Sequence, residues 1–212
     1  MTFSQILVTL SSSLERGLPG ADAHAYLAPV PRRQWPSGFN PALLRHAAGL
    51  LLVFPVEDRA HVVLTQRAHT LERHGGQISL PGGVVEPGET VEHAALREAH
   101  EEIALPIAHV RILGALTPID IPVSGFRLHP IVASAQARPS LHPSDGEVAR
   151  ILEVEVDQLL APSTFAVTTR RRDGHEIQAP AFRIDGAEIW GATAMVLAEF
   201  LALLGWPGPI SK

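Results

Sequence analysis

The residues best suited to chemistry in this sequence are three glutamates in one short segment. Glu101 lies three residues after Glu98, and Glu102 lies four residues after it. These spacings place the three side chains on one face of a helix. Apolar periodicity predicts this helix over residues 91–103, with Thr90 as its N-cap. Like charges at these spacings repel each other by roughly 0.2–0.5 kcal/mol per pair, and the dipole near the helix C-terminus repels them too.

A bound divalent cation would cancel both of these costs. The ligands would be hard carboxylate oxygens, and the chain contains no cysteine, so the pattern favours Mg²⁺ or Mn²⁺. Such ions normally hold phosphate oxygens as well. The alternative is a solvated acidic face, which fits poorly because nothing in the helix itself offsets the repulsion. The cluster therefore indicates metal-dependent chemistry on phosphates.

The segment before the helix must position these carboxylates. Gly82 and Gly83 are adjacent, and glycine pairs allow the backbone to approach a ligand or a metal closely. Glu89 is expected to reach toward Arg97 and brace the loop on the helix.

Residues 82–105 resemble the Nudix box, G-x5-E-x7-R-E-U-x-E-E-x-G-U, in which U is aliphatic. Gly83, Glu89 and Arg97 stand at the required spacing, as do the glutamates, whereas the late glycine of the pattern is Ala104 here. The resemblance implies an α/β fold, a Nudix-type α/β/α sandwich on a mixed β-sheet with a loop–helix–loop metal site. It also implies metal-dependent hydrolysis of a nucleoside diphosphate linked to another group.

The same resemblance implies roles for single residues. Glu98 and Glu102 would be metal ligands, Glu101 a third ligand or a base, and Gly83 would offer its carbonyl oxygen. Gly83, Glu89 and Arg97 would also maintain the structure of the box. Glu147 follows a predicted strand in a stretch punctuated by Pro and Gly. It is a candidate for a further catalytic carboxylate near the metals, and the alternative is a solvated loop acid.

Residues 64–83 resemble the signature of the coenzyme A diphosphatase branch, L-L-T-x-R-[SA]-x3-R-x3-G-x3-F-P-G-G. Two positions depart from it, since Glu72 replaces the second arginine and Leu80 replaces the phenylalanine. The matching positions are Leu64, Thr65, Arg67, Ala68, Gly76, Pro81, Gly82 and Gly83.

Coenzyme A carries a diphosphate and a 3′-phosphate, so its binding needs cationic side chains close to the metal site. Arg67, Arg73 and His74 are the candidates, because arginine can bind phosphate in a bidentate manner. The alternative for the two arginines is that they are exposed loop charges. Trp190 is expected to anchor the last helix, and the alternative is that it stacks on adenine. Residues 170–172 are expected to form a charged hairpin tip.

The predicted function is hydrolysis of the diphosphate bond of coenzyme A or its derivatives to 3′,5′-ADP and 4′-phosphopantetheine or its acyl form. A Nudix hydrolase for another nucleoside diphosphate compound, such as ADP-ribose, is the first alternative. The second is a Nudix-fold binding module without catalysis, which would not need the cluster of like charges.

Composition excludes several other classes. The 212 residues carry a net charge of −5, so no global basic field favours nucleic acid or an anionic membrane surface. The absence of cysteine excludes disulfides, zinc–thiolate sites and a cysteine nucleophile. No apolar run reaches the length of a membrane span. We expect a cytoplasmic protein with a small-molecule substrate, and a homodimer is left open.

Three segments are predicted along the chain. Residues 1–46 form an N-terminal helix and an irregular leader packed on the domain, residues 47–205 form the Nudix hydrolase domain, and residues 206–212 form a tail. The predicted helices cover residues 3–16, 91–103, 156–161 and 190–204. The predicted strands include a hairpin that begins at Ala47, segments 110–116, 126–135 and 150–156, and a second hairpin of segments 164–170 and 175–184.

Overall fold

The fold is that of a computed structural model, which describes residues 1–68, 75–144, 146–172 and 174–209. The helices are α1 Phe3–Arg16, α2 Gly20–Ala25, α3 Val91–Ile103, α4 Val156–Leu160 and α5 Ala192–Leu203. The strands are β1 Arg45–Val56, β2 Arg59–Arg67, β3 Ile78–Ser79, β4 Gly82–Val84, β5 Val110–Ala115, β6 Ile119–Ile121, β7 Phe126–Ala135, β8 Val148–Glu155, β9 Phe165–Arg172, β10 His175–Ile184 and β11 Ala187–Trp190.

The main sheet has eight strands and is mixed. Its central path runs β3-β2-β1-β7-β5, while β4 pairs with β1, β6 with β7 and β8 with β2. Strands β1 and β7 are parallel, whereas β1 is antiparallel to both β2 and β4. The predicted α/β architecture on a mixed sheet is therefore confirmed.

Strand β1 is buried on both faces, as its continuous apolar sequence predicts. Leu50 and Leu52 pack in the cluster that contains α3. Leu51 and Val53, whose side chains alternate with them, pack on the opposite face in the cluster that contains α1 and α5. Helices thus cover the sheet from both sides, and the sandwich has three layers.

Helix α3 begins and ends where the sequence indicates. The Thr90 hydroxyl accepts a hydrogen bond from the His93 N–H at 3.2 Å, which caps the first turn. At the other end, Ala104 adopts a left-handed conformation with φ 52° and ψ 34°. Ala104 therefore keeps the helix exit that the glycine of the Nudix box would supply, at a cost of about 1 kcal/mol for its Cβ atom.

A second sheet of three antiparallel strands, β11-β10-β9, packs beside α5. Phe182 and Ile189 of this sheet are fully buried in the same cluster as α5. The predicted second hairpin is confirmed, with strand bounds that differ by one or two residues. Asp173, between the two strands in sequence, lies outside the described residues.

The N-terminal leader is more ordered than predicted. Residues 18–41 were expected to be irregular because they are rich in Pro and Gly, and this expectation is wrong for Gly20–Ala25, which form α2. The reason is tertiary: His24 is buried and its Nε2 lies 2.8 Å from Glu199 Oε2 of α5. No helix in the described parts of the chain is both long and apolar enough to cross a membrane.

Candidate active site

The three predicted glutamates lie at the C-terminal half of α3, but their environments differ. The Glu102 side chain is 6% exposed, that of Glu98 is 18% exposed and that of Glu101 is 52% exposed. Ala95 and Ala99 of the same helix are fully buried. The acidic face therefore borders the core, and two of its carboxylates are largely removed from water.

The glycine pair of β4 packs directly against this face. Gly82 donates its N–H to Glu102 Oε2 at 3.1 Å, which orients the buried carboxylate. A Cβ atom on residue 82 would collide with the Ala48 and Gly49 backbone of β1. Glycine is therefore required at position 82 for close strand packing.

Arg97 connects the loop before α3 to the carboxylates. Its Nε and one terminal nitrogen donate to the two oxygens of Glu89, each at 3.0 Å. Its other terminal nitrogen donates to Glu98 at 2.9 Å and to Glu101 at 3.1 Å, and the Val84 carbonyl accepts a further hydrogen bond at 3.0 Å. The predicted contact between Glu89 and Arg97 is thus present and bidentate.

The guanidinium group of Arg97 lies on the same side of α3 as the glutamates. The side chain is long enough to curve back along the helix surface and reach both Glu98 and Glu101. The repulsion between the glutamates is therefore partly offset within the protein itself.

The pKa values reflect these contacts. Burial raises the pKa of Glu98, although the hydrogen bond from Arg97 acts in the opposite direction. The same arginine holds the pKa of Glu89 below its ordinary value through its hydrogen bonds. Glu98 is thus a carboxyl group whose charge is only partly compensated by its surroundings.

Arg67, at the end of β2, reaches the site from the other side. One terminal nitrogen donates to Glu147 Oε2 at 2.8 Å, and the other lies 3.9 Å from Glu102 Oε1. The Ala68 N–H donates to the Glu147 carbonyl at 2.7 Å, so the two segments are joined through their backbones too. Arg67 and Glu147, which are 80 residues apart, are brought together beside the acidic helix.

The carboxylate donors fit a hard divalent cation, but in their observed positions the described side chains do not form a coordination site. Among the described residues, no three histidine, aspartate or glutamate side chains are arranged to hold a metal ion. Two arginines, Arg67 and Arg97, supply the positive charge to the carboxylates instead. Burial raises the pKa of half-buried Glu98, and a bound cation would stabilise its ionised form.

A cavity of about 580 Å³ opens beside the glycine pair. Gly82, Gly83 and Arg67 line it, as does Leu80, which replaces the phenylalanine of the coenzyme A signature. Its other walls come from the leader before β1, from β6 and the loop after it, and from the start of α5. A cavity of this size can hold a small-molecule substrate.

Two of the predicted binding residues, Arg73 and His74, lie outside the described residues, as does the Glu72 departure. The sequence analysis missed Arg32 and Arg33, which also line the cavity. Their only sequence signal was two adjacent arginines in a Pro-rich leader.

The prediction for Trp190 is incomplete, because this residue also lines the cavity. Arg170 lies with its guanidinium carbon 4.3 Å from the centre of one of the Trp190 rings, and its terminal nitrogen donates to Glu188 at 2.5 Å. Residues 170–172 form the end of β9 beside its hairpin with β10, and the Arg170 side chain also contacts Trp190 and Glu188 of β11.

Comparison with known proteins gives a consistent picture. A family model described as the NUDIX domain matches residues 43–175. The chain is 33% identical over 164 residues to an uncharacterized Nudix hydrolase NudL of Enterobacter sp. (strain 638), covering 77% of this chain and 85% of that protein. It is 35% identical over 156 residues to the protein of the same name from Photorhabdus laumondii, covering 73% and 82%. The fold is similar to a crystal structure of RenU, a Nudix hydrolase from M. smegmatis, with a TM-score of 0.54 and 22% identity over 79% of this chain and 90% of that one.

Proposed function

The chain belongs to the Nudix hydrolase family, and from this premise we propose that it hydrolyses the diphosphate bond of coenzyme A or its derivatives. The products would be 3′,5′-ADP and 4′-phosphopantetheine, or the acyl form of the latter. The substrate is a small molecule, and the proposal includes neither nucleic acid nor a membrane.

The observation that carries the proposal is the position of the coenzyme A signature relative to the acidic helix. Residues at both ends of the signature line one cavity, Arg67 at the start and Leu80 with the glycine pair at the end. Arg67 lies within 3.9 Å of Glu102. A substrate in this cavity would meet a cation for its phosphates and the carboxylate face together.

Members of this family generally use divalent metal ions, and we assign Mg²⁺ or Mn²⁺ to Glu98 and Glu102, with Glu101 and the Gly83 carbonyl as further candidates. When bound, the metal would neutralise the diphosphate and lower the pKa of water. The carboxylate donors and the burial of Glu98 and Glu102 support this assignment.

The residues of the chain itself would orient the substrate and move a proton. Water adds its oxygen to one phosphorus atom of the diphosphate, the bridging P–O bond breaks, and the released phosphate oxygen keeps the electron pair. The attacking water must lose a proton, and the two candidates for the base are Glu101 and Glu147. Glu101 is half exposed and can exchange the proton with solvent. Glu147 accepts a hydrogen bond from Arg67 at 2.8 Å beside the acidic helix.

Arg97 and Glu89 would act by positioning. Their bidentate pair fixes the loop that carries the glycine pair against α3. Without this brace, the Gly83 backbone and the Glu98 side chain would lose their relative positions.

A substrate panel tests the proposal. Purified protein is incubated with coenzyme A, acetyl-coenzyme A, ADP-ribose and a diadenosine polyphosphate, each with Mg²⁺ and then with Mn²⁺, and the products are identified by mass spectrometry. We expect 3′,5′-ADP from coenzyme A, and from acetyl-coenzyme A with the thioester intact.

The other outcomes reject parts of the proposal. Cleavage of ADP-ribose to AMP with coenzyme A untouched would retain the family and remove the coenzyme A assignment. Absence of turnover on every substrate with either metal would favour a non-catalytic binding module. Release of free thiol from acetyl-coenzyme A without 3′,5′-ADP would contradict diphosphate hydrolysis.

A further inference from the structure

The cavity beside the glycine pair has two features that the reaction itself does not use. Trp190 at the end of β11 lines it, and so does Arg32 of the leader. Neither residue belongs to the Nudix box or to the coenzyme A signature.

The Trp190 ring is held in a defined orientation. The Arg170 guanidinium covers it at 4.3 Å, and Glu188 fixes that guanidinium through a 2.5 Å hydrogen bond. Glu188 also accepts a hydrogen bond from Arg183 at 2.8 Å. A flat aromatic side chain that is fixed from behind and borders a cavity provides a surface on which a planar base can stack.

Arg32 is a cation at the same cavity whose charge is not neutralised by an ion pair. The residue is exposed, and within the described ranges it has no hydrogen bond or salt bridge. The charge of Arg32 acts on Asp120, but both Asp120 oxygens already accept hydrogen bonds from Arg127, at 2.7 and 3.1 Å. The pKa of Asp120 lies below its ordinary value chiefly because of Arg127, with smaller contributions from Trp35 and from the charge of Arg32.

The leader that carries Arg32 is attached to the domain. The Val30 N–H donates to the Gln178 carbonyl of β10 at 2.8 Å, and the Gln178 N–H donates back to the Val30 carbonyl at 2.8 Å. Further along, Trp35 stacks on Phe39 with a ring separation of 4.0 Å. Arg32 therefore lies two residues after a position whose backbone is paired with β10.

We infer that this cavity binds the 3′-phosphoadenosine half of the substrate, with the base stacked on Trp190 and the phosphate monoester bound by Arg32. The inference rests on the proposed function for the choice of ligand. A planar aromatic side chain, an exposed arginine and the neighbouring carboxylate face match the base, the 3′-phosphate and the diphosphate of one molecule. The pantetheine half has neither a ring nor a phosphate monoester, so it would not use these two residues.

Equilibrium binding of product-sized probes tests the inference without any turnover. Calorimetric titrations in Mg²⁺ buffer compare 3′,5′-ADP with 5′-AMP, which differ only by the 3′-phosphate. For the unmodified protein we expect 3′,5′-ADP to bind about tenfold more tightly, the effect of one charge-assisted hydrogen bond.

Two variants separate the two contacts. Arg32→Ala should abolish the preference for 3′,5′-ADP and leave the affinity for 5′-AMP unchanged. Trp190→Leu should weaken both probes by about tenfold and retain the preference, because stacking acts on the shared base. Trp190→Phe keeps an aromatic ring and should restore part of the affinity. Arg111→Ala, which removes an exposed arginine on β5, is the matched control and should change neither probe.

Several results would overturn the inference. The first is equal affinity for the two probes in the unmodified protein. The second is a preference for 3′,5′-ADP that survives Arg32→Ala. The third is that Trp190→Leu binds both probes as tightly as the unmodified protein. The outcome is distinguishable from that of the proposed function. If coenzyme A is hydrolysed but 3′,5′-ADP is not preferred, the binding site is rejected and the proposed reaction is retained. If 3′,5′-ADP is preferred but coenzyme A is not hydrolysed, the reaction is rejected and the binding site is retained.

Discussion

A Cβ atom on Gly83 would lie 2.5 Å from both carboxylate oxygens of Glu98. Side-chain atoms do not approach each other so closely, so Glu98 can keep its position only if residue 83 is glycine. The backbone of Gly83 is not in the left-handed region, and its conformation would tolerate other residues. The requirement for glycine at this position is therefore set by Glu98.

The first prediction is that Gly83→Ala inactivates the enzyme but leaves the fold intact. The new methyl group displaces only the end of a flexible side chain, so the melting temperature should change by no more than a few degrees. The displaced carboxylate should lower turnover by at least about a hundredfold. Initial rates on the best substrate of the panel and a thermal melt measure the two effects.

Gly114→Ala on β5 is the control for this prediction. A Cβ atom there would meet Leu14 at 3.4 Å, an ordinary contact, and both rate and stability should be retained. If Gly83→Ala kept full activity, the carboxylate of Glu98 would not need its observed position.

The second prediction is that Glu98→Gln and Glu102→Gln each remove most of the turnover. The amide keeps the shape of the side chain but not its charge, and burial already opposes that charge at Glu98. The metal-free Glu98→Gln protein should therefore melt at the same temperature as the unmodified protein or a higher one.

Glu92→Gln, on the first turn of the same helix, serves as the comparison for both variants. It should retain turnover because Glu92 is not one of the glutamates assigned to the metal and lies at the other end of the helix. Near-normal kcat at saturating Mg²⁺ in either Glu98→Gln or Glu102→Gln would show that the ligand assignment is wrong.

The third prediction concerns substrate affinity. Arg67→Ala should raise KM for coenzyme A by roughly tenfold and lower kcat less, because a phosphate contact acts in both the ground and the transition state. Steady-state kinetics over a range of coenzyme A concentrations give both constants. Arg150→Ala on β8 removes an exposed arginine nearby and should leave KM unchanged. An unaltered KM in Arg67→Ala would assign this residue to the structure through its pair with Glu147.

The fourth prediction concerns stability at acid pH and involves Glu199 of α5. Burial, the largest influence, acts to raise the pKa of Glu199, but hydrogen bonds from His24 and Thr117 and the N–H of Gly20 together hold it below 4.5. The unfolded chain therefore takes up a proton here at higher pH than the folded protein. The stabilisation is complete above pH 4.5 and is lost as the pH falls through the lower folded value.

Glu199→Gln should reduce the free energy of unfolding at pH 7 by about 1–3 kcal/mol, because donors in the buried site lose a charged acceptor. Its stability should also depend less steeply on pH below 4.5. Urea unfolding at pH 7, 5 and 4 measures both effects, with Glu15→Gln on the exposed side of α1 as the control. A pH dependence equal to that of the unmodified protein would exclude Glu199 as its source.

Much of the fold could be predicted from local patterns. The bounds of α3 followed from the Thr90 cap and the apolar spacing, and the two-sided burial of β1 followed from its uninterrupted apolar run. These features depend on residues that are close together in the chain, so they can be predicted without knowledge of the tertiary structure. The α2 helix was missed because its stability comes from a contact between His24 and Glu199, 175 residues apart.

The same division holds for the site. The sequence by itself determined the carboxylate cluster of α3, its glycine pair and the brace between Glu89 and Arg97, because helical periodicity and one short loop connect all of them. Only the tertiary structure decided that Arg67 contacts Glu147 and that Arg32 and Trp190 share a cavity with the glycine pair. Those residues come from separate strands and from the leader, and their meeting is set by strand pairing and packing of apolar surfaces, which no local spacing encodes.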